Sequence, residues 1–277
     1  MRRVLWLNAA LAAAVAAVAL FAHFRPQGEP REHALSALAP AQIRTIRIER
    51  AGMAPIRLER KGEDWFVSEP FAARAEAIPV RRLLEIAEAR SAHRLDASDL
   101  ARFGLDPPEA RLVLEDRSFD FGLVNPVSHE QYVLAGGAVY TVSPRYGTAL
   151  PASAAELASR RLLAPGETPV GIALPEFSVE QREGKWALVP ASAELGQDDL
   201  IRWVEQWRLA YALRVEPHAK GTIRERISIA LREGGTLSLG VLAREPELVL
   251  VRLDENLQYY FIAEQAKRLL APPGAKP

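Results

Sequence analysis

The sequence predicts an α+β protein: an N-terminal transmembrane helix followed by two tandem, pseudo-symmetric units, each an antiparallel sheet with a helix on one face. Three observations lead to this prediction. A long apolar run stands near the N-terminus, alternating apolar and polar residues fill much of the remaining chain, and one order of strands, turn and helix occurs twice. The length of 277 residues is enough for two ordinary domains.

The apolar run covers residues 4–24, which at about 1.5 Å per residue can cross a hydrocarbon core of about 30 Å. Arg2 and Arg3 precede it and favour a cytoplasmic N-terminus, so that everything after Arg25 is exported. A cleaved signal peptide is the alternative, because Ala17-Val18-Ala19 offers a cleavage site, although the run exceeds the usual apolar region of about 7–15 residues. The predicted location is therefore the bacterial inner membrane, single pass, with a periplasmic ectodomain.

The chain is predicted to divide into four segments. Residues 1–25 are the membrane anchor with a short cytoplasmic N-terminus, and residues 26–42, which are rich in proline, are a linker. Residues 43–165 form the first α+β unit, and residues 166–277 form the second.

The two predicted units share their elements at an offset of about 120 residues. In each, alternating strands lead through a glycine-containing turn to a tryptophan, Trp65 or Trp186, which is predicted to lie in the core. A helix follows, with apolar residues at the i, i+3, i+4 and i+7 positions of one face. These positions are Val80, Leu83, Leu84 and Ala87 in the first unit and Leu200, Trp203, Val204 and Trp207 in the second.

The second of these helices carries two tryptophans four residues apart. Trp203 and Trp207 could stack on a sugar or an aromatic ligand, but the corresponding first-unit residues are aliphatic, which predicts core positions instead. Asp198 or Asp199 is the expected N-cap.

Hairpins follow the helix in both units. The double glycines Gly136-Gly137 and Gly234-Gly235, each between alternating runs, predict tight hairpin turns. Helices over residues 152–163 and 263–270 are predicted to close the two units.

Short motifs stand out along the chain after Pro40. They are Asp64-Trp65, Phe103-Gly104-Leu105-Asp106-Pro107-Pro108, Phe121-Gly122, Asn125-Pro126, Tyr132-Val133 and Ser159-Arg160-Arg161-Leu162-Leu163. With these motifs and the arginine-led anchor, the chain resembles a bacterial family described as domain of unknown function 4340. The resemblance implies a single-pass envelope protein, often encoded near ABC-type transporters, and supplies no catalytic residue. The second unit lacks a close match to residues 103–108.

Composition and motifs argue against several functions. Basic and acidic residues number 35 each, so no positive field attracts a nucleic-acid partner, and the sequence has no cysteine for a thiolate site. The histidines are scattered, and no nucleophile elbow, P-loop or dinucleotide fingerprint is present in the sequence. We therefore expect no catalytic residue, no cofactor, no metal ligand and no enzymatic activity.

The segment over residues 125–132 is the candidate interaction loop. It interrupts a predicted hairpin with polar residues, and Asn125, His129 and Tyr132 are the candidate contact residues. A polar loop on a rigid sheet is a common place for recognition, and a plain connecting turn is the alternative.

Two functions remain open. The first is a non-catalytic accessory or scaffold protein, tethered to the inner membrane, whose partners are an ABC-type transporter or other envelope proteins. The second is a periplasmic enzyme or ligand-binding module with a site that sequence does not reveal. A flat surface with an apolar patch would favour the first, and a deep polar pocket with converging ionisable groups the second.

Overall fold

The computed structural model describes residues 2–23, 32–191, 195–218 and 221–274. Within these ranges the chain is mostly antiparallel β-sheet with a few helices, which confirms the predicted α+β class. Two large sheets dominate, called here the first sheet (nine strands between residues 45 and 142) and the second sheet (eight strands between residues 169 and 261). A two-stranded sheet also joins β1 (His33–Ala34) to β6 (Arg90–Ser91).

The N-terminal helix, α1, extends over Arg2–His23. Among the described residues no helix is long and apolar enough to cross a membrane, so the predicted transmembrane helix is not supported. The side chains of Arg2 and Arg3, together with residues 24–31 of the predicted anchor and linker, lie outside the described part.

The first sheet contains nine strands. They are β2 (Thr45–Glu49), β3 (Ile56–Lys61), β4 (Asp64–Glu69), β5 (Ala73–Arg74), β7 (Arg94–Leu95), β8 (Ala110–Leu114), β9 (Arg117–Val124), β10 (Gln131–Ala135) and β11 (Ala138–Val142). Their spatial order is β5-β4-β3-β2-β8-β9-β10-β11-β7. The alternating pattern of the sequence explains the sheet, because every second residue of β2 and β8, such as Ile46 and Leu112, is buried on one face. The predicted tight turn at Gly136-Gly137 is confirmed, with Ala135 paired to Ala138.

The second sheet contains eight strands. They are β12 (Pro169–Ala173), β13 (Ser178–Arg182), β14 (Lys185–Val189), β15 (Arg214–Pro217), β16 (Glu225–Leu231), β17 (Thr236–Ala243), β18 (Leu248–Arg252) and β19 (Leu257–Phe261). Their spatial order is β14-β13-β12-β16-β17-β18-β19-β15. Most of the buried apolar residues of the two sheets belong to one continuous core.

Helices cover the buried faces of both sheets. In the first, α2 (Ala77–Leu84) continues as a 3-10 turn over Glu85–Glu88 and buries Val80 and Leu83. In the second, α4 (Gln197–Arg208) lies against β12 and β14 and against α5 (Ala263–Leu270), which confirms the helix predicted over residues 263–270.

The core assignment of the paired tryptophans of α4 is confirmed. Trp203 and Trp207 are 3% and 0% exposed. Their indole N–H groups donate to the carbonyls of Ala271 (2.9 Å) and Leu269 (3.1 Å) just beyond α5 and at its end. These rings are therefore anchored within the protein by packing and by hydrogen bonds.

Two finer predictions are wrong, and a third is confirmed only in part. The N-cap of α4 is Gly196, and Asp199 lies in the first turn, where its carboxylate reaches back to accept from the Gly196 N–H (3.3 Å). Trp65 and Trp186 pack against the apolar core as predicted, but both are only half-buried. Residues 152–163 contain only a 3-10 turn at Ala154–Glu156, preceded by the short helix α3 (Arg145–Thr148). The alanine-rich sequence favours a helix there, but the backbone beyond Leu157 bonds instead to Arg74 of the first sheet and to Ala210 and Ala212, between α4 and β15.

The chain enters the first sheet at one end. From His33 onward it contacts the body of the protein: Leu35 is buried, and its N–H donates to the carbonyl of Ala89 (3.1 Å). Residues 35–38 lie beside the turns at Asp116-Arg117 and Gly136-Gly137. The segment that follows α1 in sequence therefore joins the body of the protein at this end of the first sheet.

Candidate interaction loop and the ion cluster between the sheets

The predicted interaction loop connects β9 to β10 and is closed by Asn125. The Asn125 side-chain nitrogen donates to the Tyr132 hydroxyl (2.7 Å), and its side-chain oxygen accepts from the N–H of Val127 (2.8 Å). The backbone carbonyl of Asn125 accepts from the N–H of His129 (2.9 Å). The structure thus brings the three candidate residues together, but Asn125 and Tyr132 are used to shape the loop.

The outward surface of the loop is apolar. Val127 is 87% exposed, and Leu123 and Val124 at the end of β9 are 49% and 47% exposed. His129 is also exposed and adopts a left-handed conformation with φ of +58°, which fits a loop tip. Leu123, Val124 and Val127 are called here the apolar tip, whereas Asn125 and Tyr132, which drew attention in the sequence, are only partly exposed.

The apolar tip lies at the end of the first sheet remote from the chain entry. Arg117, where β9 starts, lines the cavity beside residues 35–38, whereas the loop follows Val124, where β9 ends. A strand of eight residues separates its ends by about 24 Å. The loop therefore lies at the opposite end of β9 from residues 35–38.

A second small core supports the loop from the outer face of the first sheet. Phe103, Leu105 and Val139 are buried there, and Tyr132 packs on Phe103 with ring centroids 4.8 Å apart. The motif at residues 103–108 thus lies against the motif at Tyr132, and both serve packing. Sequence analysis noted these motifs without predicting that they meet.

Close backbone approach explains the glycine of the Phe121-Gly122 motif. A Cβ atom on Gly122 would lie 2.3 Å from the carbonyl oxygen of Phe103 and 2.9 Å from Leu105. Atoms cannot approach this closely, so any larger residue would push the segment of residues 103–108 off the sheet.

The His93 neighbourhood comes nearest to a catalytic arrangement. Its Nδ1 lies 3.2 Å from the Thr141 hydroxyl and 3.9 Å from a carboxylate oxygen of Glu130. A nucleophile and an orienting acid would have to contact opposite ring nitrogens, but here both face the same one. Nearby Ser91 is buried and donates to the carbonyls of His93 and Thr141, each at 2.7 Å.

Within the described ranges, neither the cavity at the chain entry nor any group of metal ligands offers a stronger candidate. No group of three or more histidine, aspartate or glutamate side chains in the described ranges could hold a metal ion. A cavity of about 500 Å³ beside residues 35–38 has Asp116 and Arg117 on its wall, and these two pair with each other at 3.5 Å. The cavity therefore lacks ionisable groups free to converge on a ligand.

A buried ion cluster, which sequence analysis missed, lies between the two sheets. At its centre is Arg252, whose side chain is 3% exposed and which bonds Glu167 through both terminal nitrogens (2.6 and 2.8 Å). Asp254 accepts from the same guanidinium at 2.8 and 3.1 Å. The charge is therefore matched by two carboxylates in bidentate geometry.

Arg74 brings the first sheet into the cluster. Its Nε lies 2.6 Å from a carboxylate oxygen of Glu255, and its Nη2 donates to the Tyr259 hydroxyl (3.1 Å). Tyr259 in turn donates to Glu255 (2.5 Å), and Glu255 lies 3.5 Å from Arg252. One connected network thus joins β5 to the turn between β18 and β19.

The cluster shifts the ionisation of its members. Burial raises the pKa of Glu167 and Asp254, but hydrogen bonds from Arg252 outweigh it and hold each pKa below its ordinary value. Burial, with the charge of Glu255, raises the pKa of Tyr259 and keeps its phenol neutral. Burial alone would lower the pKa of Arg252, yet bonds to Glu167 and Asp254 raise it.

A signal for this cluster was present in the sequence. Leu248 and Leu250 are buried on one face of β18, and Arg252 continues the same alternation. A charged residue at an inward position requires a partner, because an unpaired buried charge is very costly. The pattern indicates that a partner exists but does not name Glu167, which lies 85 residues away.

Comparison with known families gives a match over much of the chain. The sequence model of the family described as "Domain of unknown function (DUF4340)" matches residues 65–220. The matched region starts in β4, includes α2, the small outer core and α4, and ends shortly after β15. No curated protein and no solved structure matches the chain.

Proposed function

The chain belongs to the DUF4340 family, and from this premise we propose that it is a membrane-tethered accessory or scaffold protein without catalytic activity. In this proposal α1 anchors it in the bacterial inner membrane, and the sheets lie in the periplasm. Its partner is an ABC-type transporter or another envelope complex, which it contacts through the apolar tip.

The observation that carries the proposal is the uncovered apolar surface of α1. Trp6, Leu11 and Val18 are 78%, 67% and 68% exposed, and every described side chain of this helix is exposed. An apolar helix uncovered on all sides is stable only in surroundings that are themselves apolar, such as lipid. The apolar residues 4–24, with Arg2 and Arg3 ahead of them, support the same placement.

The described ectodomain supports a binding role more than catalysis. The charges in the buried cluster are paired with each other, and His93 lacks the geometry of a general base with an orienting acid. Leu123, Val124 and Val127 are exposed apolar side chains at the end of the first sheet remote from the chain entry. Such surface is typical of protein contact sites.

We further infer that the two units are copies of one ancestral unit. With β5 set aside, the spatial order of the first sheet corresponds strand by strand to that of the second. Register supports the correspondence: Leu58 pairs with Ile46 and Val67, and Val179 pairs with Ile172 and Leu188. Both Leu58 and Val179 are fully buried, as equivalent core positions require.

Exchange of the anchor tests the tether. Residues 1–25 are replaced either by a cleavable export signal or by an unrelated single-pass helix of the same orientation, and each chain carries a C-terminal reporter that is active only in the periplasm. We expect reporter activity in the wild-type protein and in both replacements. We expect membrane recovery, and capture of envelope proteins in mild detergent, only with a helix present. Full capture by the released ectodomain would refute the tether.

Substitution at the apolar tip tests the contact surface. Leu123→Ser, Val124→Thr and Val127→Ser combined should abolish capture of the envelope partner while leaving the thermal transition in place, because these side chains are exposed. His129→Ala is the matched control within the same loop and should retain capture. If substitution of a single histidine or carboxylate abolished function while the protein still folded, an enzymatic role would replace the accessory proposal.

A further inference from the structure

The segment Ala158, Ser159, Arg160, Arg161, Leu162 and Leu163, called here the strap, is hydrogen-bonded to both large sheets. On the first-sheet side, Ala158 forms a bridge with Ala75, and the N–H of Ser159 donates to the carbonyl of Arg74 (2.7 Å). The contacts to the second unit begin at the next residue, Arg160, whose carbonyl accepts from the N–H of Ala212. The strap is therefore a backbone link across the boundary.

On the second-sheet side, the strap pairs with the chain that leads into β15. The N–H of Leu162 donates to the carbonyl of Ala210 (3.0 Å), and the N–H of Ala212 donates to the carbonyl of Arg160 (2.8 Å). Arg161 forms a bridge with Tyr211 between these two bonds. Leu162 itself is fully buried, so these bonds are shielded from water.

The ion cluster fastens the strap through its remaining carbonyls. Arg74 donates to the carbonyl of Arg161 (2.8 Å), and Arg252 donates to the carbonyl of Leu162 (2.7 Å). These two guanidinium groups come from different sheets and share Glu255 as a neighbour. Hydrogen bonds from charged donors are stronger than neutral ones, so the cluster holds the strap from both sides.

We infer that the strap and the ion cluster form a conformational clasp that makes the two units open and unfold as one body, with the Arg74–Glu255 pair as its closing contact. The inference goes beyond the accessory role and does not depend on the tether or the partner. It assigns the Ser159-Arg160-Arg161-Leu162-Leu163 motif to coupling between the units. It also explains why a charged cluster occupies a place where apolar packing would suffice for stability alone.

Hydrogen exchange of the full-length protein in detergent micelles tests the clasp. Glu255→Gln keeps the size of the side chain and removes the charge shared by the two arginines, and Arg74→Met removes the first-sheet partner. In both variants the amides of Ser159, Leu162 and Ala212 should exchange at least about tenfold faster, since the charged donors that hold the strap act on the neighbouring carbonyls of Arg161 and Leu162. Amides in the β8–β9 pair should keep their wild-type rates in Glu255→Gln.

Arg111→Met is the matched control, because Arg111 forms a pair of similar geometry with Asp120 inside the first sheet, at 2.6 and 2.8 Å. It should leave the exchange of the strap unchanged. If Arg74→Met does not fold, Glu255→Gln decides alone. Unchanged exchange of the strap in Glu255→Gln, or equal acceleration in Arg111→Met, would overturn the clasp.

Discussion

The first and second sheets share one strand order but complete their exposed edges differently. In the first sheet β4 is covered by β5, and the carbonyl of Trp65 accepts from the N–H of Ala75 (2.8 Å). In the second sheet β14 is the last strand, and the side chain of Gln197 replaces the missing neighbour. It accepts from the N–H of Trp186 (2.9 Å) and donates to its carbonyl (2.6 Å). Equivalent backbone groups are thus satisfied by a strand in one unit and by one amide in the other.

The two units also differ in where they place their bulky side chains. The first unit adds a small outer core, with Phe103 and Tyr132 on the face opposite α2. The second unit concentrates aromatic volume on its inner face, with Trp203 and Trp207 on α4 where the first unit has Leu83 and Ala87. The two units therefore share a strand order but bury their bulky side chains in different places, on the outer face of the first sheet and beneath α4 in the second.

Removal of the largest inner side chain should produce the largest effect. Trp207→Ala deletes a fully buried ring and its bond to the carbonyl of Leu269, which should cost about 3–5 kcal/mol in the free energy of unfolding. Trp186→Ala, at a half-buried ring, should cost less than half as much. Urea denaturation of both variants measures the difference. Equal losses would mean that the margin of the second sheet is as tightly packed as its centre.

The outer core of the first unit should be nearly as sensitive to added volume. Gly122→Ala places a methyl group 2.3 Å from the carbonyl oxygen of Phe103, and we expect a loss of about 2–3 kcal/mol, because backbone must shift. Gly171→Ala in the second sheet is the matched control. Its nearest neighbour would be 3.5 Å away, an ordinary contact, so its thermal transition should stay close to wild type. A similar loss in both variants would argue against the outer core as the cause.

Much of the fold follows from patterns that act over a few residues. Alternation predicted the strands that lead to Trp65 and Trp186, and spacing predicted the face of α4, because sheet and helix periodicity are local properties. Local sequence predicted the strap as part of a helix. Its actual partners, Ala75 and Ala210, are distant in sequence, so their pairing with the strap could not be predicted. Tertiary hydrogen bonds overrode local propensity there.

The candidate site was predictable only in part, for the same reason. The loop over residues 125–132 stands out by composition, yet its sequence does not reveal that Asn125 turns inward to Tyr132 while Val127 turns outward. The ion cluster depends on the meeting of Arg74 with Glu255, which are 181 residues apart. Sequence shows that Arg252 needs a partner and is silent on which one the fold supplies.

Acid should loosen the junction between the two units. The pKa of Glu167 and of Asp254 is below its ordinary value in the folded protein, so each contributes stability that is complete above its unfolded pKa, about 4. This contribution is lost as the pH falls through the lower, folded value. The melting temperature should therefore stay level from about pH 7 to 5 and fall below about pH 4.5.

Variants at single carboxylates sharpen the acid prediction. Glu167→Gln should lower the melting temperature at neutral pH and give a shallower fall in acid, since one of the paired carboxylates is gone. Glu63→Gln, at a side chain that is 92% exposed, should follow the wild-type profile. Differential scanning calorimetry across the pH range measures both. A Glu167→Gln profile parallel to wild type would remove the ion cluster from the explanation of acid sensitivity.

The smallest expected effect concerns the edge of the second sheet. Gln197→Ala frees the N–H and carbonyl of Trp186, but water can reach both groups at this exposed edge, so the loss should be about 0.5–1 kcal/mol. The larger consequence is association, because an uncovered edge can pair with another chain. Gln206→Ala makes the same replacement on the same helix without touching β14. Sedimentation at increasing concentration should show self-association of Gln197→Ala and none of Gln206→Ala. If both variants remain monodisperse, the amide of Gln197 serves the stability of the margin alone, and the two units differ less in edge protection than their structures suggest.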